Sequence, residues 1–223
     1  MRISILIPVY NEQNTISEII QKVSLLKIEK EIIVIDDGSK DDTPQILKRL
    51  LADNKEIKTV FHSKNKGKGA AIRSGLKKAT GEYVIIQDAD LELDPLDIIK
   101  LVDAVSDRCG VVYGSRFLSN QRVPLLSYVA NRFLTFLTNF FYGSNLTDME
   151  TCYKLVKKEI LLSLNLKSRR FEIEPEITCK ILKRGYKIKE IPISYTPRKE
   201  GKKIGWIDGF KAIYTILKFR IYD

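Results

Sequence analysis

Five short apolar runs recur through the first half of the chain, at residues 2–7, 31–35, 57–61, 83–87 and 110–114. Amphipathic helical patterns separate them over roughly 12–27, 41–53, 67–79 and 94–107. A strand with no polar face must be covered on both sides, and alternating strands and helices with short connections supply that cover. The pattern predicts an α/β chain with a Rossmann-like, mostly parallel sheet and helices on both faces. Such sheets bind ligands at the carboxyl ends of their strands, so function is to be sought in the residues that follow each run.

Acidic residues stand at those ends. The run Tyr83-Val84-Ile85-Ile86 leads into Gln87-Asp88-Ala89-Asp90-Leu91-Glu92. Asp88 and Asp90 are two apart and project to one side in extended geometry, with Glu92 following. Clustered oxygen ligands of this type suit a hard divalent cation that stays open to water and phosphate. A capped loop before a helix near Asp94-Pro95 is the plainer alternative. Pro8-Val9-Tyr10-Asn11-Glu12 closes the first run, where Asn11 or Glu12 serves as a helix cap or Tyr10 and Glu12 meet a nucleotide base. Asp36-Asp37-Gly38-Ser39-Lys40-Asp41-Asp42-Thr43 closes the second, with Ser39 or Asp41 placed to start a helix. Carboxylates at three successive crossovers repel one another unless something cationic or polar binds among them.

Other signals narrow the class. Asn65-Lys66-Gly67-Lys68-Gly69 resembles a phosphate loop but lacks the GxxxxGK[ST] spacing, and the lone His62 before it reads as a surface residue. No GxGxxG follows the first run, which disfavours a dinucleotide-dependent dehydrogenase. The net charge of +10 calls for an anionic partner: a phosphorylated small molecule, anionic lipid or nucleic acid. No RNP-like or zinc-finger pattern supports nucleic acid, so none is expected. Cys109, Cys152 and Cys179 are widely spaced and odd in number, pointing to a reducing compartment and no structural zinc.

The pattern changes after Gly114-Ser115-Arg116. Residues 122–142 are rich in Leu, Phe and Tyr, but Asn131, Arg132 and Asn139 interrupt them, which predicts one or two amphipathic helices. Residues 172–184 read as helix and 188–195 as strand. A basic loop, Arg198-Lys199-Glu200-Gly201-Lys202-Lys203, precedes a tail from Trp206 to Tyr222 that mixes apolar residues with Lys211, Lys218 and Arg220. Both apolar segments fit either a core or a membrane surface. No stretch supplies the roughly 18 uninterrupted apolar residues of a membrane span, and Met1-Arg2 runs straight into the first strand rather than into a signal sequence. At 223 residues the chain can hold one substantial core.

Taken together, Pro8 to Glu12, Asp36-Asp37-Gly38-Ser39, Asn65-x-Gly-Lys-Gly69 and Asp88-Ala89-Asp90 occur in the order and spacing of glycosyltransferase family 2. Gly114-Ser115-Arg116, Thr147-Asp148, Tyr153-Lys154 and Phe171-Glu172 resemble the branch containing dolichyl-phosphate mannose synthases and glucosyltransferases. The resemblance implies an A-type glycosyltransferase fold and one catalytic domain over 1–223, with a nucleotide-sugar half at 1–115 and an acceptor half at 116–223. It implies that Pro8, Tyr10, Glu12, Ile35 and Asp37 line the nucleoside pocket. Asp88, Ala89 and Asp90 would hold the diphosphate and sugar, and Asp90 and Glu92 a Mg²⁺ or Mn²⁺. Arg116 and Arg132 would grip the acceptor phosphate, with Arg198 and Lys202 closing over the donor diphosphate. Asp88, Asp90, Arg116 and Arg132 would carry the catalysis. Mannose synthases are expected to have Gln where this chain has Glu92.

The activity so implied is inverting transfer of a hexose from a GDP-mannose or UDP-glucose type donor to dolichyl or polyprenyl phosphate. It would occur at the cytoplasmic face of a membrane, where a membrane-anchoring partner subunit also fits. A phosphate acceptor is already anionic, since its second pKa is about 6. It needs positive charge rather than a strong base, with Asp148 as a base or orienting group. A hydroxyl acceptor on a growing glycan, which would need a carboxylate base, is the main rival. A processive synthase lacks its QxxRW-like segment here, and a nucleotidyltransferase lacks its Gly-rich loop after the first strand. A non-catalytic nucleotide- or lipid-binding module is the rival from outside enzymes.

Overall fold

The computed structural model describes residues 1–53, 57–106, 109–119, 123–198 and 205–222. One seven-stranded sheet runs through both halves of the chain. Its strands are β1 (Ile3–Val9), β2 (Lys30–Asp36), β3 (Ile57–Phe61), β4 (Tyr83–Ile86), β5 (Val111–Ser115), β6 (Lys154–Lys157) and β7 (Lys189–Pro192). Their order across the sheet is β3-β2-β1-β4-β6-β5-β7. β3, β2, β1 and β4 are mutually parallel, and β7 runs parallel to β5. β6 is antiparallel to both its neighbours, β4 and β5. Successive residues of β1 and β2 are buried almost without a break, so both sheet faces are covered there.

The helices are α1 (Ile16–Ser24), α2 (Thr43–Asp53), α3 (Lys68–Leu76), α4 (Asp97–Asp103), α5 (Leu125–Tyr142), α6 (Lys158–Ser163), α7 (Ile173–Lys183) and α8 (Trp206–Ile221). α1 buries Ile16, Ile19, Ile20 and Val23, the stripe expected of a helix lying on a sheet. Asp41 accepts the Thr43 N–H at 3.0 Å where α2 begins. α3 approaches the sheet closely through small residues. A Cβ on Gly75 would stand 2.7 Å from Ile35 Cδ1, so any larger residue there would force the Ile35 side chain to shift.

The segment 154–157 is a strand with no counterpart among the five expected runs. Lysines at both ends hide its apolar centre, Leu155-Val156. Lys154 nevertheless lies in the core at 1% exposure, because Glu174 pairs with it 2.5 Å away. Within the segment expected at 122–142, Leu125–Tyr142 form a single helix, α5, which with α7 and α8 encloses a second small core around Leu134, Met149, Cys179, Ile216 and Phe219. Both outer helices keep an exposed apolar face. On α5 it includes Val129, Phe133, Phe136 and Phe140, and on α8 Ile207, Phe210, Tyr214 and Leu217. Among the described residues no helix is long and apolar enough to cross a membrane.

Candidate active site

The order β2-β1-β4 brings the carboxyl ends of three parallel strands together, with β1 in the middle. The first two strand-end loops are laced to each other. The Asn11 N–H donates to Ser39 Oγ at 2.9 Å, and Asn11 Oδ1 accepts from the Lys40 N–H at 2.8 Å. Asn11 has a φ of +51°, which asparagine tolerates better than most residues. Neither Asn11 nor Glu12 is the α1 N-cap; that position belongs to Thr15.

Asp37 accepts the Gly67 N–H at 2.7 Å and the Lys66 N–H at 3.0 Å, pinning the Asn65–Gly69 turn to the end of β2. His62 Nδ1 lies 2.6 Å from the same carboxylate, and Nε2 lies 2.9 Å from Ser74 Oγ. The surface position expected for His62 is therefore wrong, for its side chain is 5% exposed. The ring found two polar partners inside the fold, which a lone histidine in a sequence cannot announce. Gly67 allows the turn to pass beneath the segment before α7, where any Cβ would meet Arg169 O at 2.3 Å.

The acids after β4 are compensated by the chain's own cations. Lys68, the first residue of α3, reaches Asp88 at 2.8 Å and Glu174 at 3.1 Å. Burial opposes ionisation of Asp88, yet Lys68 outweighs it and holds the carboxyl below its ordinary range. Arg198 faces a second group of three: Glu12 at 3.1 Å, Asp90 at 3.6 Å and Glu92 at 3.8 Å. Glu92 also accepts the Arg198 N–H at 3.1 Å. Burial and the neighbouring Asp88 and Glu92 push Asp90 up to about 6. Leu91, between these acids, sits at a φ of +61°, a strained conformation for leucine. Strain of that kind persists only where the surroundings impose it.

A cavity of about 720 Å³ runs from these acids to the second half of the chain. Arg116 also lines it, clamped by Asp148 through Nε at 2.7 Å and Nη2 at 2.8 Å. Both oxygens of the fully buried Asp148 are so engaged, which makes it an orienting group. Glu150 lines the same cavity, and burial pushes its carboxyl up to about 7. Leu126 of α5 and Trp206 of α8 belong to the same wall. A neighbouring cavity of about 710 Å³ lies between Tyr10, Asp36, Lys48 and Phe61, and shares Tyr10 and Asn65 with the first.

Pro8, Tyr10, Glu12, Asp37, Asp88, Ala89, Asp90, Glu92, Arg116 and Arg198 all line the larger cavity. Two sequence expectations fall elsewhere. Ile35 is a core residue, fully buried with its side chain against α3, and lines neither cavity. Arg132 is exposed on α5, donates to Thr147 O at 3.2 Å and shares the Phe117 ring with Arg116, outside the cavity wall. Lys202 lies outside the described residues. Sequence reading passed over Lys68, Glu150 and Glu174. Lys68 sits inside the Asn65–Gly69 motif and Glu150 two residues beyond Thr147-Asp148, so position next to recognised motifs was the available signal.

Among the described residues no cluster of three His, Cys, Asp or Glu side chains is arranged as a metal cage. Mg²⁺ and Mn²⁺ do not require one when a diphosphate supplies oxygens: one or two carboxylates complete an octahedron with phosphate and water. Asp90 and Glu92 offer that donor set, and the guanidinium held between them shows that the spot favours positive charge.

The mixed sheet with one reversed strand, and acids at the ends of its parallel strands, is that of the A-type glycosyltransferase fold. The chain belongs to glycosyl transferase family 2, whose model matches residues 4–164. It is 30% identical over 242 residues to a UDP-N-acetylglucosamine–dolichyl-phosphate N-acetylglucosaminyltransferase of Methanococcus voltae, covering 98% of this chain and 96% of that protein. It is 27% identical over 210 residues to a dolichol-phosphate mannosyltransferase of Pyrococcus furiosus, covering 91% of this chain and 58% of the relative. Among solved structures, glucosyl-3-phosphoglycerate synthase of Mycobacterium tuberculosis with Mn²⁺, UDP and glucosyl-3-phosphoglycerate superposes with a TM-score of 0.78 at 20% identity. That match covers 100% of this chain and 81% of the synthase.

Proposed function

We propose that this chain transfers a sugar, with inversion, from a nucleoside-diphosphate donor to a polyprenyl phosphate of the dolichyl type at a membrane surface. One observation carries the reading. A single cavity joins the Asp88–Glu92 acids to a clamped Arg116 and is walled by the first turns of α5 and α8, whose outer faces are apolar. The named activities of the two archaeal relatives, both on dolichyl phosphate, support the same acceptor. The first half of the chain would hold the donor and the second half the acceptor.

In this reading Tyr10 and the smaller cavity receive the nucleoside, and Asp90 and Glu92 hold Mg²⁺ or Mn²⁺. The metal, when bound, neutralises charge that builds on the leaving diphosphate. Arg198, released from the acids, turns to that diphosphate. Arg116 is fixed by Asp148, whose carboxylate outweighs burial and keeps the guanidinium ionised, with its remaining N–H groups directed to the acceptor phosphate. An anionic phosphate attacks without a base, so Asp148 is free to serve as the clamp. The exposed Phe133, Phe136, Phe210 and Tyr214 would enter the lipid interface, and Arg132, Lys211 and Lys218 would meet anionic headgroups.

Incubation with radiolabelled UDP-GlcNAc, UDP-glucose or GDP-mannose, polyprenyl phosphate and Mn²⁺ tests the reading. A chloroform-soluble product from one donor is expected, abolished by Asp90→Ala. If no donor labels the lipid, the acceptor assignment fails. Sedimentation with phosphatidylglycerol-containing vesicles tests the docking face. The double variant Phe136→Glu/Phe210→Glu is expected to remain in the supernatant while the unmodified chain pellets, and equal pelleting would refute the membrane role.

A further inference from the structure

We infer that Glu150 reads the identity of the transferred sugar, its carboxyl hydrogen-bonding ring substituents of the donor hexose; the inference rests on the proposed donor and acceptor sites. The five residues from Asp148 to Cys152 run from the Arg116 clamp to Asp88, both on the cavity wall. At one end Asp148 holds Arg116. At the other the Cys152 thiol interacts with Asp88 and lies 3.4 Å from Ile86 O at the end of β4. Glu150 is the middle residue of this segment and lines the cavity. The ends of the segment can be no more than about 13 Å apart even if fully extended. In any in-line transfer the sugar lies between the leaving diphosphate and the attacking oxygen, so a cavity-lining side chain of the segment that joins those sites faces the ring.

Among the described residues the carboxyl has no hydrogen-bond partner. Its Oε1 is buried and accepts no hydrogen bond among the described residues, and no hydrogen bond to its other oxygen is found there either. Buried polar atoms are almost always satisfied, and an orphan on a cavity wall is satisfied by what enters the cavity. The charged groups that face it are Lys154 from β6, Glu174 from α7, and Arg116 with Asp148. The two cations already have carboxylate partners of their own, at Glu174 and Asp148. Near neutral pH the group exists in both protonation states. The neutral form offers an O–H donor beside a C=O acceptor, a match for adjacent hydroxyls or for an acylamino group.

Calorimetry in Mn²⁺ with UDP, GDP, UDP-GlcNAc, UDP-glucose and GDP-mannose tests this on Glu150→Gln and Glu150→Ala. Glu150→Ala is expected to weaken the preferred nucleotide sugar roughly tenfold, the loss of one or two hydrogen bonds, while the bare nucleotide changes by less than about twofold. Glu150→Gln is expected to fall between and to alter the ranking of donors. Undiminished bare-nucleotide binding also certifies that each variant is folded. Parallel losses for nucleotide and nucleotide sugar, or no loss for either, would overturn the assignment. So would a Glu150→Gln that binds donor normally but turns over about 10²–10⁴-fold more slowly, the mark of a general base acting on a hydroxyl acceptor. Failure of the donor reading itself would be seen in the unmodified chain, as no binding of any nucleotide sugar.

Discussion

Lys68 is the test of whether the charges around the acids are organised as a network. Its Nζ lies 2.8 Å from Asp88 and 3.1 Å from Glu174, with the side chain only 12% exposed. At an effective dielectric near 20 those contacts amount to gross attractions of about 6 and about 5 kcal/mol. Most of that is offset by taking three charges out of water. Lys68→Met removes the attraction and leaves the desolvation, with two carboxylates now facing each other. The expected loss is about 3–5 kcal/mol of stability, the range for breaking a buried pair from one side. For a chain of this size each kcal/mol is worth about 2–4 °C, so Tm should fall by roughly 6–20 °C. Denaturant unfolding of Lys68→Met, Asp88→Asn and the double variant measures the coupling. The double variant should be more stable than the sum of single losses by about 1–3 kcal/mol, since the unpaired carboxylate is gone. Strict additivity, or a Lys68→Met loss below about 1 kcal/mol, would refute the network.

Arg198→Ala takes away the cation that Glu12, Asp90 and Glu92 now face, so Mn²⁺ binding without nucleotide should tighten severalfold while turnover falls. Electron paramagnetic resonance titration reads the free Mn²⁺, and an unchanged affinity would show that Arg198 does not occupy the cation position. Asp148→Asn leaves the size of the clamp but not its charge. It should raise the KM for polyprenyl phosphate about tenfold or more with little change in the donor KM, measured by initial rates. At the opposite end of the sheet burial opposes ionisation of Glu31, but hydrogen bonds from Lys58, Ser4 and Thr80 outweigh it and hold its pKa at about 2. That contribution is fully present above pH 4.5 and is lost as pH falls through about 2. With Lys58 half exposed it is worth about 1–2 kcal/mol. Glu31→Gln should therefore be less stable than the unmodified chain at pH 7, with the gap closing between pH 4.5 and 2 on chemical denaturation.

What could be read from the sequence followed from burial. β1 and β2 are covered on both faces, so their centres, Ile5-Leu6-Ile7 and Ile32 to Ile35, are unbroken apolar runs followed by the polar loops. The acids at those ends were legible for the same reason. β6 was not, because Lys154 is apolar in effect only once Glu174, twenty residues later, neutralises it. The same kind of remote pairing hid His62, whose partners Asp37 and Ser74 lie on different elements. Ile35 shows the converse error. A residue one place before an acidic loop is not thereby in the loop's pocket, since strand alternation turns its side chain toward α3 and into the core. Arg132 follows the helical rule in the same way: seven residues after Leu125 it shares that residue's exposed face of α5 rather than the face buried by Leu134, Thr135 and Thr138.

The acids at the strand ends would destabilise one another if left alone, and the fold answers with cations from distant parts of the chain. Lys68 is buried and shared between two carboxylates, so it is a fixed part of the site. Arg198 is more exposed, and of its guanidinium's three acidic contacts only that with Glu12 is close enough to be a hydrogen bond. It holds its place by charge rather than by tight geometry, as a group must if it is to be exchanged. On the proposed reading a divalent ion arriving alone would have to evict Arg198 into solvent with nothing to receive it. A metal arriving with a nucleoside diphosphate brings the anion that Arg198 needs. Metal and donor should therefore each raise the other's affinity by the same factor, as linkage requires. The acids, the arginine and the diphosphate then form a closed exchange of partners in which no buried charge is left unpaired.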